Sequence, residues 1–236
     1  MTQVRAQEYC GWQARQYTPD TGMWIWAHRG ARSVAPENTL AAAQAAVEQQ
    51  AHGWELDVQM TKDGQLVVLH DYALRRVTDI ASTKDFPDRR QHVVSALTWA
   101  ELSLLDAGSW FVRRDPFHTV ASGEVSTAQC AAFTGQPILR LDQAVAWTRS
   151  TPLGLNLEIK GPPGRVDLAL AEAVARVVDT AQMPGRILIS SFEYRYLAHM
   201  RTLQRNIALA WLLTRRNCQQ PVPELIGLAQ NIHAQW

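Results

Sequence analysis

Between Ile25 and Asp71 the chain sets short apolar runs directly beside clusters of charged residues: Ala27-His28-Arg29-Gly30, then Glu55-Leu56-Asp57-Val58, then Leu69-His70-Asp71. Few architectures accommodate that pattern. Successive strands that end in polar groups bring their side chains together at one end of a sheet, as at the mouth of an α/β barrel. Histidines, carboxylates and an arginine gathered there are costly to desolvate unless a cation, a phosphate or one another balances them.

The 236 residues are enough for one substantial core, and 47% apolar content with a net charge of +1 fits a globular chain. That charge balance argues against nucleic acid as the main partner. Cys10, Cys130 and Cys218 leave one thiol over after any pairing, so no disulfide framework is expected. The first twenty residues lack an apolar signal core, and no stretch has the length and apolarity of a transmembrane helix. A cytoplasmic protein without transmembrane anchoring is therefore expected. Residues 1–22 read as a leader or barrel cap, and residues 23–236 as the barrel, including an insertion or lid at 72–135.

Residues 23–27 suit a first strand, Asn38 or Thr39 a helix cap, and the Ala-rich run over 41–51 a helix. In a second strand at 54–58, Glu55 and Asp57 stand two apart and so share a face. Two close carboxylates repel unless a cation or proton lies between them, and a divalent metal is the economical answer. Lys62-Asp63-Gly64 marks a turn before a strand at 66–69, and leaves open a hairpin or an irregular return. Thr98 and Glu101 form a helix-capping pair within the long excursion over 72–135. A helix over 138–149 leads to a strand at 153–160, where Glu158 and Lys160 again share a face. Glu158 can offer a third oxygen to a hard cation, and Lys160 can neutralise a phosphate beside it. Helices near 166–178 and 194–203 alternate with strands at 186–192 and 207–213, and a strand-like stretch follows at 225–232. About seven strands result where this barrel class closes with eight, so the final unit is expected to be missing or degenerate.

The sequence resembles the glycerophosphodiester phosphodiesterase family. The resemblance is carried by Ala27-His28-Arg29-Gly30, Pro36-Glu37-Asn38-Thr39, Glu55-Leu56-Asp57-Val58, Val67-Val68-Leu69-His70-Asp71, Leu104 to Phe111, Asn156-Leu157-Glu158-Ile159-Lys160 and Ser190-Ser191-Phe192, in order across about 24–213. It implies a distorted TIM-type barrel with an insertion after the third strand, and hydrolysis of glycerophosphodiesters to glycerol 3-phosphate and an alcohol. By the same resemblance, His28 and His70 are the acid–base pair, Glu55, Asp57 and Glu158 bind the metal, and Arg29 and Lys160 contact phosphate. An all-oxygen donor set favours Mg²⁺ or Ca²⁺. Two other readings stay open: a phospholipase D-like enzyme acting on choline phospholipids, and a noncatalytic binding barrel.

Overall fold

The computed structural model describes residues 24–84, 86, 92–183, 185–215 and 217–234. The leader or cap expected at 1–22 lies outside the described residues. Its elements, in chain order, are β1 (Trp26–His28), α1 (Leu40–Glu48), β2 (Gly53–Met60), β3 (Leu66–Val68), α2 (Trp99–Leu102), α3 (Ser109–Arg114), α4 (Thr127–Phe133), β4 (Leu139–Arg140), α5 (Leu141–Arg149), β5 (Gly154–Ile159), α6 (Leu168–Thr180), β6 (Ile187–Ser191), α7 (Tyr194–Leu203), β7 (Ala208–Trp211) and α8 (Val222–Asn231).

The seven strands form one sheet in the order β4-β3-β2-β5-β6-β7, with β1 also on β2. β2 organises it. One edge pairs in parallel with β5 from Gly53 to Val58, while the other is shared between β1, parallel at 53–55, and β3, antiparallel at 58–60. The two antiparallel pairings, β2–β3 and β3–β4, are what distort the barrel. Among the described residues β1 and β7 have no strand beyond them, so this is a TIM-type barrel with a degenerate last unit and an insertion between β3 and β4.

Strand alternation sorts the side chains of β2. Trp54, Leu56 and Val58 are fully buried in the core, and the Trp54 indole donates to Thr148 Oγ on α5 at 2.9 Å. The opposite face carries Glu55, Asp57 and Gln59. The Ala-rich α1 buries Ala42, Ala43 and Ala46, and its N-terminus is capped by Thr39, whose hydroxyl accepts from the Ala42 amide at 3.2 Å. Gly30, at φ 79°, makes this packing possible. A Cβ there would stand 2.6 Å from the Ala42 methyl, so the loop after β1 could not close on α1.

Three local expectations change. Residues 62–64 close an antiparallel hairpin, which settles the open choice between hairpin and irregular return. The helix expected over 138–149 starts only at Leu141, because Leu139 and Arg140 hydrogen-bond to β3 as a short strand. The stretch at 225–232 is not a strand. It belongs to α8, whose start is set by proline in the first turn, and among the described residues no strand pairs with it. Among the described residues the count of seven strands therefore stands with a different membership. Thr98 and Glu101 do form a capping box.

Candidate functional site

Strand register assembles the site. His28 aligns with Glu55 and Glu55 with Asn156, while Asp57 aligns with Glu158 and Glu158 with Ser190. The result is two stacked rows of side chains across the sheet. Carboxylate oxygens of Glu55, Asp57 and Glu158 all lie within 4.8 Å of one another, and all three residues are buried. Two of those oxygens, Glu55 Oε1 and Asp57 Oδ1, accept no hydrogen bond, although Lys160 Nζ stands 3.4 Å from the latter. Three buried acids, two of them with an under-satisfied oxygen, have the donor chemistry of a hard divalent cation, so these residues fit one.

The electrostatics agree. Burial, then the Asp57 charge and the Glu158 charge, push the Glu55 carboxyl up to about 8. Burial also raises Glu158, with the Asp57 charge adding to it and Lys160 opposing. Lys160 lies 3.0 Å from Glu158 Oε1. Burial disfavours its charge, yet the two carboxylates outweigh that and raise its pKa.

The loop after β1 supplies the second wall. Arg29 and Asn38 both adopt left-handed backbone, at φ 61° and 59°. That turn aims the Arg29 amide at Glu55 Oε2, 2.9 Å away, and lets the Asn38 amide donate to the Arg29 carbonyl at 2.9 Å. The Asn38 side chain then grips Asp57 twice: its Nδ2 donates to Oδ2 at 2.8 Å, and its Oδ1 accepts from the Asp57 amide at 3.3 Å. The Arg29 guanidinium donates to Glu37 at 3.0 Å and stands 3.5 Å from Asp57.

The two histidines address different carboxylates. His28, half exposed, has Nε2 3.8 Å from Glu55 Oε2. Burial, then the Arg29 and Arg32 charges, lower its pKa. His70 has Nδ1 2.6 Å from Asp71 Oδ1. Neither belongs to the three-acid group.

Sequence reasoning passed over two supporting residues. Gln59 continues the 55, 57, 59 alternation, which would have revealed it. Its buried amide points to the carbonyls of Leu69, His70 and Asp71 at 2.7, 3.3 and 3.0 Å, and so fixes the backbone beneath the imidazole. Arg76 had no local signal. It bridges Asp71 and Glu37, two loops apart in sequence. In the Ser190-Ser191-Phe192 motif, Ser190 aligns with Glu158, whereas the Ser191 hydroxyl donates to the Ile159 carbonyl at 2.9 Å.

Two hollows flank Lys160. One of 520 Å³ is bounded by Gln59, Lys62, Tyr72, Val93, Lys160 and Arg165, and one of 260 Å³ by Tyr72, Glu158, Lys160, Phe192 and Arg195. A third, of 340 Å³, lies at the opposite ends of β6 and β7, away from the acids.

The sequence pattern of the glycerophosphoryl diester phosphodiesterase family matches residues 28–230. The protein YhdW of Bacillus subtilis is 36% identical over 196 residues, 83% of this chain and 67% of that protein. The glycerophosphodiester phosphodiesterase domain-containing protein 5 of Gallus gallus is 38% identical over 135 residues, 57% of this chain but 22% of its own length. A phosphodiesterase of Oleispira antarctica, solved with the product sn-glycerol-3-phosphate, superimposes with a TM-score of 0.71 at 26% identity, covering 94% of this chain and 74% of that one. A glycerophosphodiester phosphodiesterase of Agrobacterium tumefaciens gives 0.60 at 29% identity, over 79% and 65% of the two chains.

Proposed function

Because the chain belongs to the glycerophosphoryl diester phosphodiesterase family, we propose that it hydrolyses glycerophosphodiesters to glycerol 3-phosphate and an alcohol, with His28 and His70 moving the protons. The observation that carries this reading is the buried trio Glu55, Asp57 and Glu158, flanked by Lys160 and Arg29. Product-bound glycerol 3-phosphate in the Oleispira relative supports the same substrate class.

In this reading Glu55, Asp57 and Glu158 would hold Mg²⁺ or Ca²⁺, which supplies positive charge against the phosphate oxygens as the transition state forms. Arg29 and Lys160 bind and orient the phosphate from either side. His28, held toward its neutral form, is suited to take the proton of the glycerol 2-hydroxyl as that oxygen attacks phosphorus. His70 gives a proton to the departing alkoxide. The roles then reverse as water opens the cyclic diester. Residues 72–135 contribute Tyr72 and Val93 to the wall of the 520 Å³ hollow, which supports a role for this insertion in shaping the alcohol side of the mouth. The cytoplasmic setting expected from the sequence is kept as part of the same reading. No helix among the described residues is long and apolar enough to cross a membrane.

The test is product formation from glycerophosphocholine by folded protein, with chelator, Mg²⁺ and Ca²⁺ compared. The expected result is cation-dependent release of glycerol 3-phosphate and choline. Release of phosphocholine would move the cut to another bond, and no turnover by folded, cation-loaded protein would favour the binding-barrel alternative.

A further inference from the structure

We propose that Arg76 is the positioning residue for His70: it clamps the Asp71 carboxylate, which fixes the imidazole with Nδ1–H toward Asp71 and leaves Nε2 for proton transfer. This rests on the acid–base reading of His70 given above.

The guanidinium is used on two sides. Toward Asp71, Nε donates to Oδ2 at 2.5 Å and Nη2 to Oδ1 at 3.0 Å. Toward Glu37, Nη1 donates to Oε2 at 3.0 Å and Nη2 to Oε1 at 2.6 Å. The Glu37 side chain is only 6% exposed and also accepts from Arg29, so Arg76, itself 35% exposed, is anchored to the loop after β1. Leu74, fully buried, pins the single turn Leu74–Arg76 to the core, and the Trp110 ring lies 5.7 Å from the guanidinium carbon.

Asp71 consequently has little freedom. Burial would favour its neutral form, yet its hydrogen bonds to His70 and Arg76 hold its carboxyl well below the usual range. An ionised Asp71 can only accept, so the His70 nitrogen 2.6 Å away must carry hydrogen. Gln59 already fixes the backbone from Leu69 to Asp71, which leaves the ring's orientation and tautomer to Asp71, and Asp71 to Arg76. A surface ion pair would do none of this, because exposed pairs are mobile and weakly coupled. Here a planar, two-armed donor is matched to two carboxylates at once, a geometry that lysine cannot copy.

Imidazole ¹⁵N–¹H spectra, recorded with the ring neutral, read the tautomer directly. Wild-type protein is expected to show one Nδ1–H tautomer at His70. Arg76→Gln is expected to give a mixture, with kcat on glycerophosphocholine lowered about 10- to 100-fold while KM and Mg²⁺ affinity by calorimetry stay unchanged. In a His70→Ala background the same substitution should remove no further turnover. If Arg76→Gln fails to fold, Arg76→Lys keeps the charge without the two-armed geometry and is read by the same outcomes. A single unchanged tautomer with turnover within about twofold would overturn the inference, as would an equal further loss in the His70→Ala background. Full turnover by His70→Ala would overturn the acid–base reading and the inference with it. Turnover lost in His70→Ala but kept in Arg76→Gln overturns the inference alone.

Discussion

Glu55 shows how one residue can carry opposite demands. Its carboxyl sits beside two other acids in a buried row, where its charge is penalised by burial first and by Asp57 next. Its pKa is raised in the fold, so between about 4.5 and about 8 the folded state binds a proton that the unfolded state does not. Stability from this group is fully present below the lower value and is lost as pH rises through the upper one. Chelated protein is accordingly expected to melt lower at pH 8.5 than at pH 5.5, with the difference shrinking in Glu55→Gln. The same substitution should weaken Mg²⁺ binding at least about tenfold, read by calorimetry, because it removes a charged donor from the trio. Unchanged affinity would remove Glu55 from the cation site. Glu37 behaves in the other sense. Burial opposes its charge, but hydrogen bonds from Arg76 and the nearby arginine charges lower its pKa.

At the scale of elements, the loop from β1 to α1 does more than connect. Asn38 holds a left-handed backbone, tied through its amide to Arg29, and grips Asp57 with both ends of its side chain. Asn38→Ala would lose two hydrogen bonds to a buried acid and place alanine where its Cβ is strained, a destabilisation of about 2–4 kcal/mol. Chemical denaturation should show that loss together with weaker Mg²⁺ binding. A stability change under about 0.5 kcal/mol would mean that Asp57 is held by the strand alone. The β2–β3 hairpin has a comparable role, because its return strand delivers His70 and Asp71 beside the loop after β1. Proximity of Glu55 to Asp57 was legible from a spacing of two, and the Thr98 cap from a spacing of three. The Arg76–Glu37 pair was not, since its partners stand 39 residues apart and meet only because the hairpin folds back.

For the molecule as a whole, the sheet concentrates its negative charge on one inner face while its net charge stays at +1. A cation bound by the folded trio and absent from the unfolded chain stabilises by mass action. At a free Mg²⁺ concentration near 100 times Kd the gain is about 2.7 kcal/mol, which for a chain of this size raises Tm by roughly 5–11 °C. Scanning calorimetry with and without chelator measures it. An unmoved Tm at saturating Mg²⁺ or Ca²⁺ would separate the trio from cation binding. No residue of α8 is fully buried, and Val222 and Ile226 are exposed, although its C-cap Ile232 joins the core.

By itself the sequence determined the α/β class and the family, and it offered the two histidines, the three acids and Lys160 as candidates for the site. Those depend on alternation, capping and short motifs, all of which act over a few residues. Only the tertiary structure decided the rest. Register between β2 and β5 set Asp57 beside Glu158 and within reach of Lys160. The pairing of β3 with Leu139 and Arg140 made a strand of residues that otherwise begin a helix. Residues 225–231 closed a helix begun by the proline-led turn at 222–224 instead of joining the sheet. The closing of two loops on Arg76 bound one histidine to the other wall of the site. Each is a contact between residues distant in sequence, chosen by burial and register, to which local propensity is blind.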